Sequence, residues 1–271
     1  MLLTLQGSEI DERADYLAVV SPHNPEFWWG NFLLFPGPPT AAGVRDWEAA
    51  FAREFPEASH RTFGVDGTSG DVSGYAEFVA AGYDVQASVV MTATAVHAPP
   101  HPNRDAVCRP LDLTDSHDRE SAIALRMANA PDMDPISHRT FLDRSMDSMA
   151  ALQQAGAGSW FGAFLDGRMV SGMGLFSDGR GLARFQSVDT HPEARGLGLA
   201  GTLVHHVSTY GFTSLRATTL VMVADPSYHA IRIYRSVGFE DTEAQVEIEL
   251  ARADSARVPG AAINCQDILD T

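Results

Sequence analysis

Residues 186–210 run QSVDTHPEARGLGLAGTLVHHVSTY, and the rest of the chain is interpreted from the local structure that this stretch predicts. It predicts a strand at 185–188 that ends before Pro192, because proline has no N–H group to offer to a neighbouring strand. Leu199, Leu203 and Val207 then recur at the spacing of a helix. The sequence therefore predicts a strand, a short loop and a helix.

The loop of this unit, residues 195–201, has the composition of an anion site. Gly196 and Gly198 lack Cβ atoms, so the backbone can adopt unusual φ angles and approach another molecule closely. The first N–H groups of the following helix have no partner within it, and the helix dipole adds positive charge there. Arg195 adds a full positive charge. Such a loop favours a phosphate group as its ligand.

Two phosphate-binding patterns fit these residues. Gly196, Gly198 and Gly201 match G-x-G-x-x-G, which is typical of oxidoreductases that bind NAD(P). That fingerprint also requires a strand running directly into the first glycine and an acidic residue about 20 residues later. Here residues 191–194 intervene, and residues 216–223 contain no acid. An NAD(P)-binding oxidoreductase is therefore the alternative hypothesis.

The second pattern is R-x-x-G-x-A at 195–200, preceded by V-x-T-x-P at 188–192. It resembles the acetyl-CoA pyrophosphate loop of the GNAT N-acetyltransferases. The downstream run SYHAIRIYRSVGF at 227–239 resembles the next motif of that family, N-x-x-A-x-x-L-Y-x-x-x-G-F, with Ser227 in place of the usual Asn. The two motifs stand in the family's order and spacing. A glycine turn that serves only packing is the remaining explanation.

The resemblance implies an α+β fold, the three-layer GNAT acyl-CoA N-acyltransferase fold, with a mixed and mostly antiparallel sheet flanked by helices. The element order that we predict from Ala106 to Ala251, β-α-α-β-β-β-α-β-α-β, is that of this fold. We predict four segments: a degenerate GNAT-like domain at 1–96, a proline-rich linker at 97–105, a catalytic GNAT domain at 106–252 and a C-terminal tail at 253–271.

The first half is predicted to repeat the second without its phosphate chemistry. Residues 75–83 align with residues 231–239, which places Phe78 where the second half has Tyr234. Residues 36–39 hold three prolines, which have no N–H group for an anion. The pattern also predicts a short helix and then a strand within 9–20. An unrelated α+β domain is the alternative to this repeat.

The resemblance further implies direct attack of an amine on the thioester of acetyl-CoA. Tyr234 lies where the family has its general acid; core packing is the alternative role of this side chain. The residues expected to bind the cofactor lie on the strand end, the loop and the next helix: Val188, Asp189, Thr190, Arg195, Gly196, Leu197, Gly198, Leu199, Ala200, Gly201, Ser227 and Ala230. Ser227 is also expected to cap the helix that follows it.

The sequence does not identify a general base. Gln186 lies where some family members have Glu, and an amide cannot accept the proton. Asp189, Asp225 and Glu240 flank the predicted cleft, but each is expected to be a solvated surface acid, with a water chain as the alternative base. The acceptor amine, whether a small molecule or a peptide, is not defined. A GNAT fold that only senses acyl-CoA is a further alternative.

Composition limits the partners. The net charge of −16 over 271 residues argues against nucleic-acid binding and would steer cationic substrates, unless it serves only solubility. There is no apolar run of about 18 residues, and the first residues lack the basic start of a signal peptide. The two cysteines lie far apart without metal-ligand spacing. We expect a cytoplasmic enzyme that needs no metal. A homodimer is a possible assembly.

Overall fold

The computed structural model describes residues 2–39 and 43–251. The helices are α1 Leu2–Leu5, α2 Gly43–Glu54, α3 Ala76–Ala80, α4 Ser116–Ala128, α5 Pro135–Gln154, α6 Leu199–Thr213 and α7 Ala230–Arg235. The strands are β1 Glu9–Glu12, β2 Leu17–Val20, β3 Phe32–Phe35, β4 His60–Val65, β5 Asp84–Ala93, β6 Val107–Pro110, β7 Gly158–Leu165, β8 Arg168–Ser177, β9 Leu182–Thr190, β10 Thr219–Ala224 and β11 Glu240–Ala251. The predicted tail at 253–271 lies outside the described residues. None of the described helices combines the length and apolar character needed to cross a bilayer.

All eleven strands belong to one sheet, in the order β1-β2-β3-β4-β11-β5-β10-β9-β8-β7-β6. Only the pairs β3–β4 and β9–β10 are parallel, so the sheet is mixed and mostly antiparallel. Helices cover both faces: Trp160 on β7 packs with α4 and α5, whereas its neighbour Phe161 packs with α6. The predicted α+β fold is confirmed.

The second half has the predicted order of elements, from β6 to β11. Local chemistry explains the helix starts: the Asp115 carboxylate accepts hydrogen bonds from two backbone N–H groups of α4, and the Asp134 carboxylate caps α5 just before Pro135. Asp166 and Gly167, both with positive φ, form the tight turn between β7 and β8.

The prediction for residues 9–20 is wrong in its first element. Instead of a helix, Glu9–Glu12 forms an edge strand that pairs with β2 in an antiparallel hairpin. Its side chains are mostly exposed and charged, and such side chains protect a sheet edge from pairing with other chains. The apolar strand that follows, Leu17–Val20, is confirmed.

The last strands of the two halves are exchanged. In each half a parallel strand pair is followed by a helix and one more strand, which is β5 in the first half and β11 in the second. However, β5 pairs with β10 of the second half, and β11 pairs with β4 of the first. β5 and β11 also pair with each other, so the sheet runs continuously through both halves. The boundary at 97–105 and the degenerate copy at 1–96 stay predictions.

This exchange predicts that a substitution in β11 destabilises the first half. Ile248 is fully buried and packs with Trp47 and Phe63 of the first-half core. We expect Ile248→Ala to lower the free energy of unfolding by about 2–4 kcal/mol, because it removes buried methyl groups and leaves a cavity. Urea unfolding followed by tryptophan fluorescence measures this loss. Glu240→Ala, an exposed change at the start of the same strand, is the control and should leave the midpoint unchanged.

Candidate active site

The loop before α6 has the geometry of an anion site. Gly196 and Gly198 have φ angles of +80° and +75°, a conformation that side chains with a Cβ atom rarely adopt. Gly198 is the N-cap of the 15-residue helix α6. None of the N–H groups from Gly196 to Gly201 donates a hydrogen bond to another described residue. These backbone donors are free to bind a ligand.

The segment between the two halves lies directly on this loop. The Asn103 backbone N–H donates to Thr202 Oγ1 at 2.8 Å, and the Asn103 side chain donates to the Leu197 carbonyl at 3.0 Å. A Cβ atom at Gly198 would lie 2.2 Å from the His101 carbonyl oxygen. Contact with the linker therefore requires a residue without a side chain at this position. No local pattern in the sequence indicates this contact.

A cavity of about 470 Å³ extends from the loop. Arg195 lines it and is held by a 2.7 Å hydrogen bond from its guanidinium to Asn129 Oδ1. The lining residues come from the linker, the end of β9, the loop with the start of α6, and the region around α7: Pro99, Pro100, His101, Asn129, Val188, Asp189, Thr190, Ala194, Arg195, Gly196, Gly198, Leu199, Ala200, Gly201, Tyr228, His229, Ala230, Ile233, Tyr234 and Ser236. Of the twelve residues expected at the cofactor, ten line this cavity; Leu197 and Ser227 do not.

Ser227 has a different role from the predicted cap. Its hydroxyl donates to Asp225 Oδ1 at 2.6 Å. Helix α7 begins only at Ala230, after His229, and has no side-chain cap. The cap prediction is wrong because His229, and not Ser227, occupies the N-cap position of this helix. Contact between Ser227 and a cofactor stays a prediction.

The strands β9 and β10 separate beside the cavity. Their parallel pairing ends at Arg184 and Val221, and the gap beyond it is a second cavity of about 210 Å³ that shares lining residues with the first. On its other side β9 has an irregular register against β8, with one extra residue and a φ of +48° at Ser187. β9 and β10 therefore splay apart beyond Arg184 and Val221, which leaves backbone groups on this edge of β9 without strand partners.

Tyr234 lies where the two cavities meet. Its side chain is 6% exposed and lines both. The hydroxyl makes no hydrogen bond with another described residue. Burial raises the pKa of the phenol, and the charges of Asp189 and Tyr228 raise it further. The hydroxyl is therefore protonated at neutral pH and free to donate.

Asp189 is not the solvated surface acid that the sequence indicated. Burial raises the pKa of its carboxyl to about 6, although Arg126 and Arg195 act in the opposite direction. Its Oδ2 lies 3.7 Å from Nε of Arg126, which comes from α4. A carboxylate of this pKa can accept a proton near neutral pH. Sequence reasoning missed Arg126, because its approach to Asp189 depends on tertiary packing.

The other candidate acids are less suited to proton transfer. Asp225 lines the second cavity, but it is exposed and accepts hydrogen bonds from Ser227. Glu240 is exposed on β11. Gln186 is buried, and its Nε2 has no hydrogen-bond partner within the described part of the chain. Within residues 2–39 and 43–251, no three His, Cys, Asp or Glu side chains are grouped to hold a metal ion.

A third, smaller cavity of about 50 Å³ lies on the other side of β9, and we call it the inter-half cavity. Its walls come from α4, α5, the β9 bulge and two first-half segments: Gln6, Gly7, Ser8, Ser21, His23, Asn24, Phe27, Arg126, Phe141, Ser145, Ser148, Met149, Gln186 and Ser187. Helices α4 and α5 thus line this cavity together with segments of the first half. Arg126 lies between this cavity and Asp189.

The chain is similar to known proteins in part of its sequence and in its fold. A sequence model described as the acetyltransferase (GNAT) family matches residues 125–239. No curated protein sequence matches the chain. Among solved structures, a functionally unknown conserved protein from Staphylococcus epidermidis is similar at 12% identity and a TM-score of 0.66, covering 89% of this chain and 93% of that one.

Two further solved structures are described as GNAT proteins. A GCN5-related N-acetyltransferase from Kribbella flavida has 16% identity and a TM-score of 0.60, covering 91% of this chain and 92% of its own. A tandem GNAT protein from the clavulanic acid biosynthesis pathway has 14% identity and a TM-score of 0.56, covering 89% of this chain and 79% of its own. At these identities the similarity shows the fold alone, while the sequence match assigns residues 125–239 to the GNAT family. The chain therefore contains, at residues 125–239, a domain of the GNAT acetyltransferases, a family of transferase enzymes.

Proposed function

We propose that the chain transfers an acetyl group from acetyl-CoA to the nitrogen of a small amine. The observation that carries this proposal is the set of unpartnered N–H groups at residues 196–201, which open into a cavity of about 470 Å³ beside Arg195. That arrangement suits a diphosphate. The cavity leads to the gap between β9 and β10, where a thioester would reach Tyr234. The first half is proposed to be a degenerate copy that closes the acceptor side.

The residues present fit acetyl-CoA better than NAD(P). The loop N–H groups and Arg195 would hold the diphosphate. Backbone groups of Val188, Asp189 and Thr190 on the edge of β9 that faces away from β8 would hold the pantetheine arm and polarise the carbonyl. The linker, through Pro99 to His101, would form the opposite wall. A dinucleotide would instead need an acid on β10 for its ribose, and β10 has none.

Acetyl-CoA supplies an activated acyl group, so a C–N bond forms as the C–S bond breaks. Tyr234 donates its phenolic proton to the departing sulfur. Asp189 accepts the proton that leaves the amine nitrogen. A backbone N–H group on the edge of β9 that faces β10 stabilises the negative charge that develops on the thioester carbonyl oxygen as the amine attacks. Proton exchange with solvent then restores both side chains.

This assignment predicts the pH dependence of turnover. Below pH 6 the Asp189 carboxyl is protonated and cannot accept a proton, so kcat should fall about tenfold per pH unit there and level off above pH 7. The charged and titratable groups that face Asp189 are Arg126 from α4, Arg195 from the loop and Tyr234 from α7. Asp189→Asn should lower kcat about 30-fold and remove the inflection near pH 6.

The control for this prediction is Asp225→Asn, which changes a carboxylate of the neighbouring cavity that already accepts hydrogen bonds. It should keep the wild-type pH profile. An unchanged inflection in Asp189→Asn would show that a different group, or water, accepts the proton.

The proposed function itself is tested in two steps. Acetyl-CoA at 100 times its Kd should stabilise the fold by about 2.7 kcal/mol, which raises the melting temperature by several degrees, whereas NAD(P) should not. Release of free CoA is then followed with a panel of amines. Stabilisation by NAD(P) alone would support the oxidoreductase alternative. Stabilisation by acetyl-CoA without CoA release from any amine would support a non-catalytic sensor.

A further inference from the structure

Arg126 brings a positive charge to the inter-half cavity, and its ion-pair partner Asp189 lies outside the lining of that cavity. Arg126 is the one arginine in its lining, and no carboxylate of the described residues lines it. The Arg126 side chain is only 12% exposed, yet its guanidinium makes no hydrogen bond with another described residue. Its nearest acid is Asp189, at 3.7 Å, which is beyond hydrogen-bond distance. Apart from Nε, which faces Asp189, the N–H donors of this planar guanidinium therefore have no hydrogen-bond partner among the described residues.

Two further polar atoms of this cavity are also unpartnered. Asn24 Oδ1 and Gln186 Nε2 are both buried without a hydrogen-bond partner in the described chain, and their residues are 7% and 8% exposed. Leaving buried polar atoms unpaired is costly, so such atoms indicate a polar ligand or water. They come from different halves of the chain, since Asn24 precedes β3 and Gln186 lies on β9. One donor and one acceptor thus flank the guanidinium.

The remaining walls limit the size and charge of the ligand. Phe27, Phe141 and Met149 form an apolar side, and the Arg126 guanidinium lies 6.0 Å from the Phe141 ring centroid. A volume of about 50 Å³ exceeds the roughly 10–15 Å³ that one water needs on this measure, so the cavity admits a group of a few heavy atoms, such as a carboxylate. A cationic amine would meet the positive Arg126 without a compensating acid in the lining. The cavity therefore disfavours the cationic substrates that the net charge of the chain would steer.

We infer that the acceptor is a small α-amino acid, whose carboxylate binds Arg126 in the inter-half cavity and whose amine faces Asp189. Arginine binds carboxylates through two parallel hydrogen bonds, and this geometry would satisfy the open donors. The nitrogen of an α-amino acid lies two bonds from its carboxyl carbon. A carboxylate on Arg126 thus holds the amine beside the carboxylate that receives its proton. This inference rests on the proposed function, because it names the acceptor of that reaction.

Matched acceptors test the inference. Alanine and serine are compared with alaninamide and serinamide as acceptors for acetyl-CoA, by CoA release and by the mass of the N-acetyl product. We expect kcat/KM to be at least about 30-fold higher for the free acids, as for a charge-assisted pair of hydrogen bonds. Arg126→Gln should remove this preference by lowering kcat/KM for the acids about 30-fold relative to the amides. Because Arg126 also lowers the pKa of Asp189, the acid-to-amide ratio is compared within each variant, at a pH well above 7.

Controls separate this inference from the function on which it rests. Arg119→Gln changes an arginine of the same helix that pairs with Asp143 and Asp147 outside the cavity, and it should keep the preference. The thermal shift with acetyl-CoA should be equal in wild type and Arg126→Gln, which shows that the fold and the cofactor loop are intact. Calorimetric titration of N-acetylalanine and N-acetylalaninamide in the presence of CoA measures carboxylate binding without turnover.

The outcomes differ for the two claims. Equal or better turnover of amides, or no calorimetric preference for the carboxylate, would overturn the inference while acetyl transfer stands. Binding of acetyl-CoA too weak to detect would instead overturn the proposed function. A preference for the acids that survives in Arg126→Gln would show that another group reads the carboxylate, and it would also overturn the inference.

Discussion

Replacing Tyr234 by phenylalanine is expected to lower kcat for CoA release by about 100- to 1000-fold, with little change in the KM for acetyl-CoA. The substitution removes one hydroxyl that has no partner among the described residues, and the ring stays packed at the meeting point of the two cavities. The fold should therefore lose little stability. The loss falls on kcat, because a general acid contributes in the transition state and not to cofactor binding.

The raised pKa of the Tyr234 phenol also predicts how wild-type turnover depends on pH. Burial is the main cause of the shift, and the hydroxyl stays protonated well above neutral pH. Wild-type turnover should therefore show no alkaline loss below about pH 10, the ordinary pKa of tyrosine. Steady-state kinetics between pH 5 and pH 10 measures this.

Tyr228→Phe is the matched control for Tyr234→Phe. Tyr228 lines the same two cavities, but its side chain is exposed and lies before α7. The change should alter kcat by less than about threefold. Equal kcat in wild type and Tyr234→Phe would mean that water protonates the sulfur, and Tyr234 would then serve packing alone. Equal losses in both variants would indicate a general effect on the cavity.

Local sequence patterns predicted the parts of the site that local geometry determines. The positions of Gly196 and Gly198 depend on a turn between one strand and one helix, and both glycines have the positive φ that such a turn needs. This relation spans few residues, so local spacing encodes it. The place of Tyr234 was expected only from the family resemblance, since α6 and β10 stand between β9 and α7 in the chain.

The missed parts depend on contacts between distant segments. Asp189 was expected to be a solvated acid, but its side chain is only 22% exposed and lies 3.7 Å from Arg126, which comes from α4. The exchange of β5 and β11 was not predicted, because the choice of partner strand depends on contacts between segments that are far apart in the sequence. In the hairpin at 9–20, the charged β1 lacks the buried face that makes a strand recognisable in sequence.

Gly198→Ala is expected to raise the KM for acetyl-CoA about 100-fold and to lower the melting temperature. Two effects combine. The φ of +75° costs about 1–2 kcal/mol for a residue with a Cβ atom. In addition, the new atom would lie 2.2 Å from the His101 carbonyl oxygen, and a backbone atom cannot rotate away. The linker must then move, which breaks the hydrogen bonds of Asn103 to the loop and changes one wall of the cavity.

Gly196→Ala separates the two effects. Its φ of +80° makes the conformational cost similar, but a Cβ atom there has no neighbour within 4 Å among the described residues. We therefore expect its KM to rise less than tenfold. The ratio between the two variants then measures what the linker contributes to cofactor binding. If Gly196→Ala and Gly198→Ala raise the KM equally, backbone strain alone explains the loss, and the linker is not a working wall of the cofactor cavity. If only Gly198→Ala is severe, the segment that joins the two halves also builds the site, and cofactor affinity depends on both halves being correctly assembled.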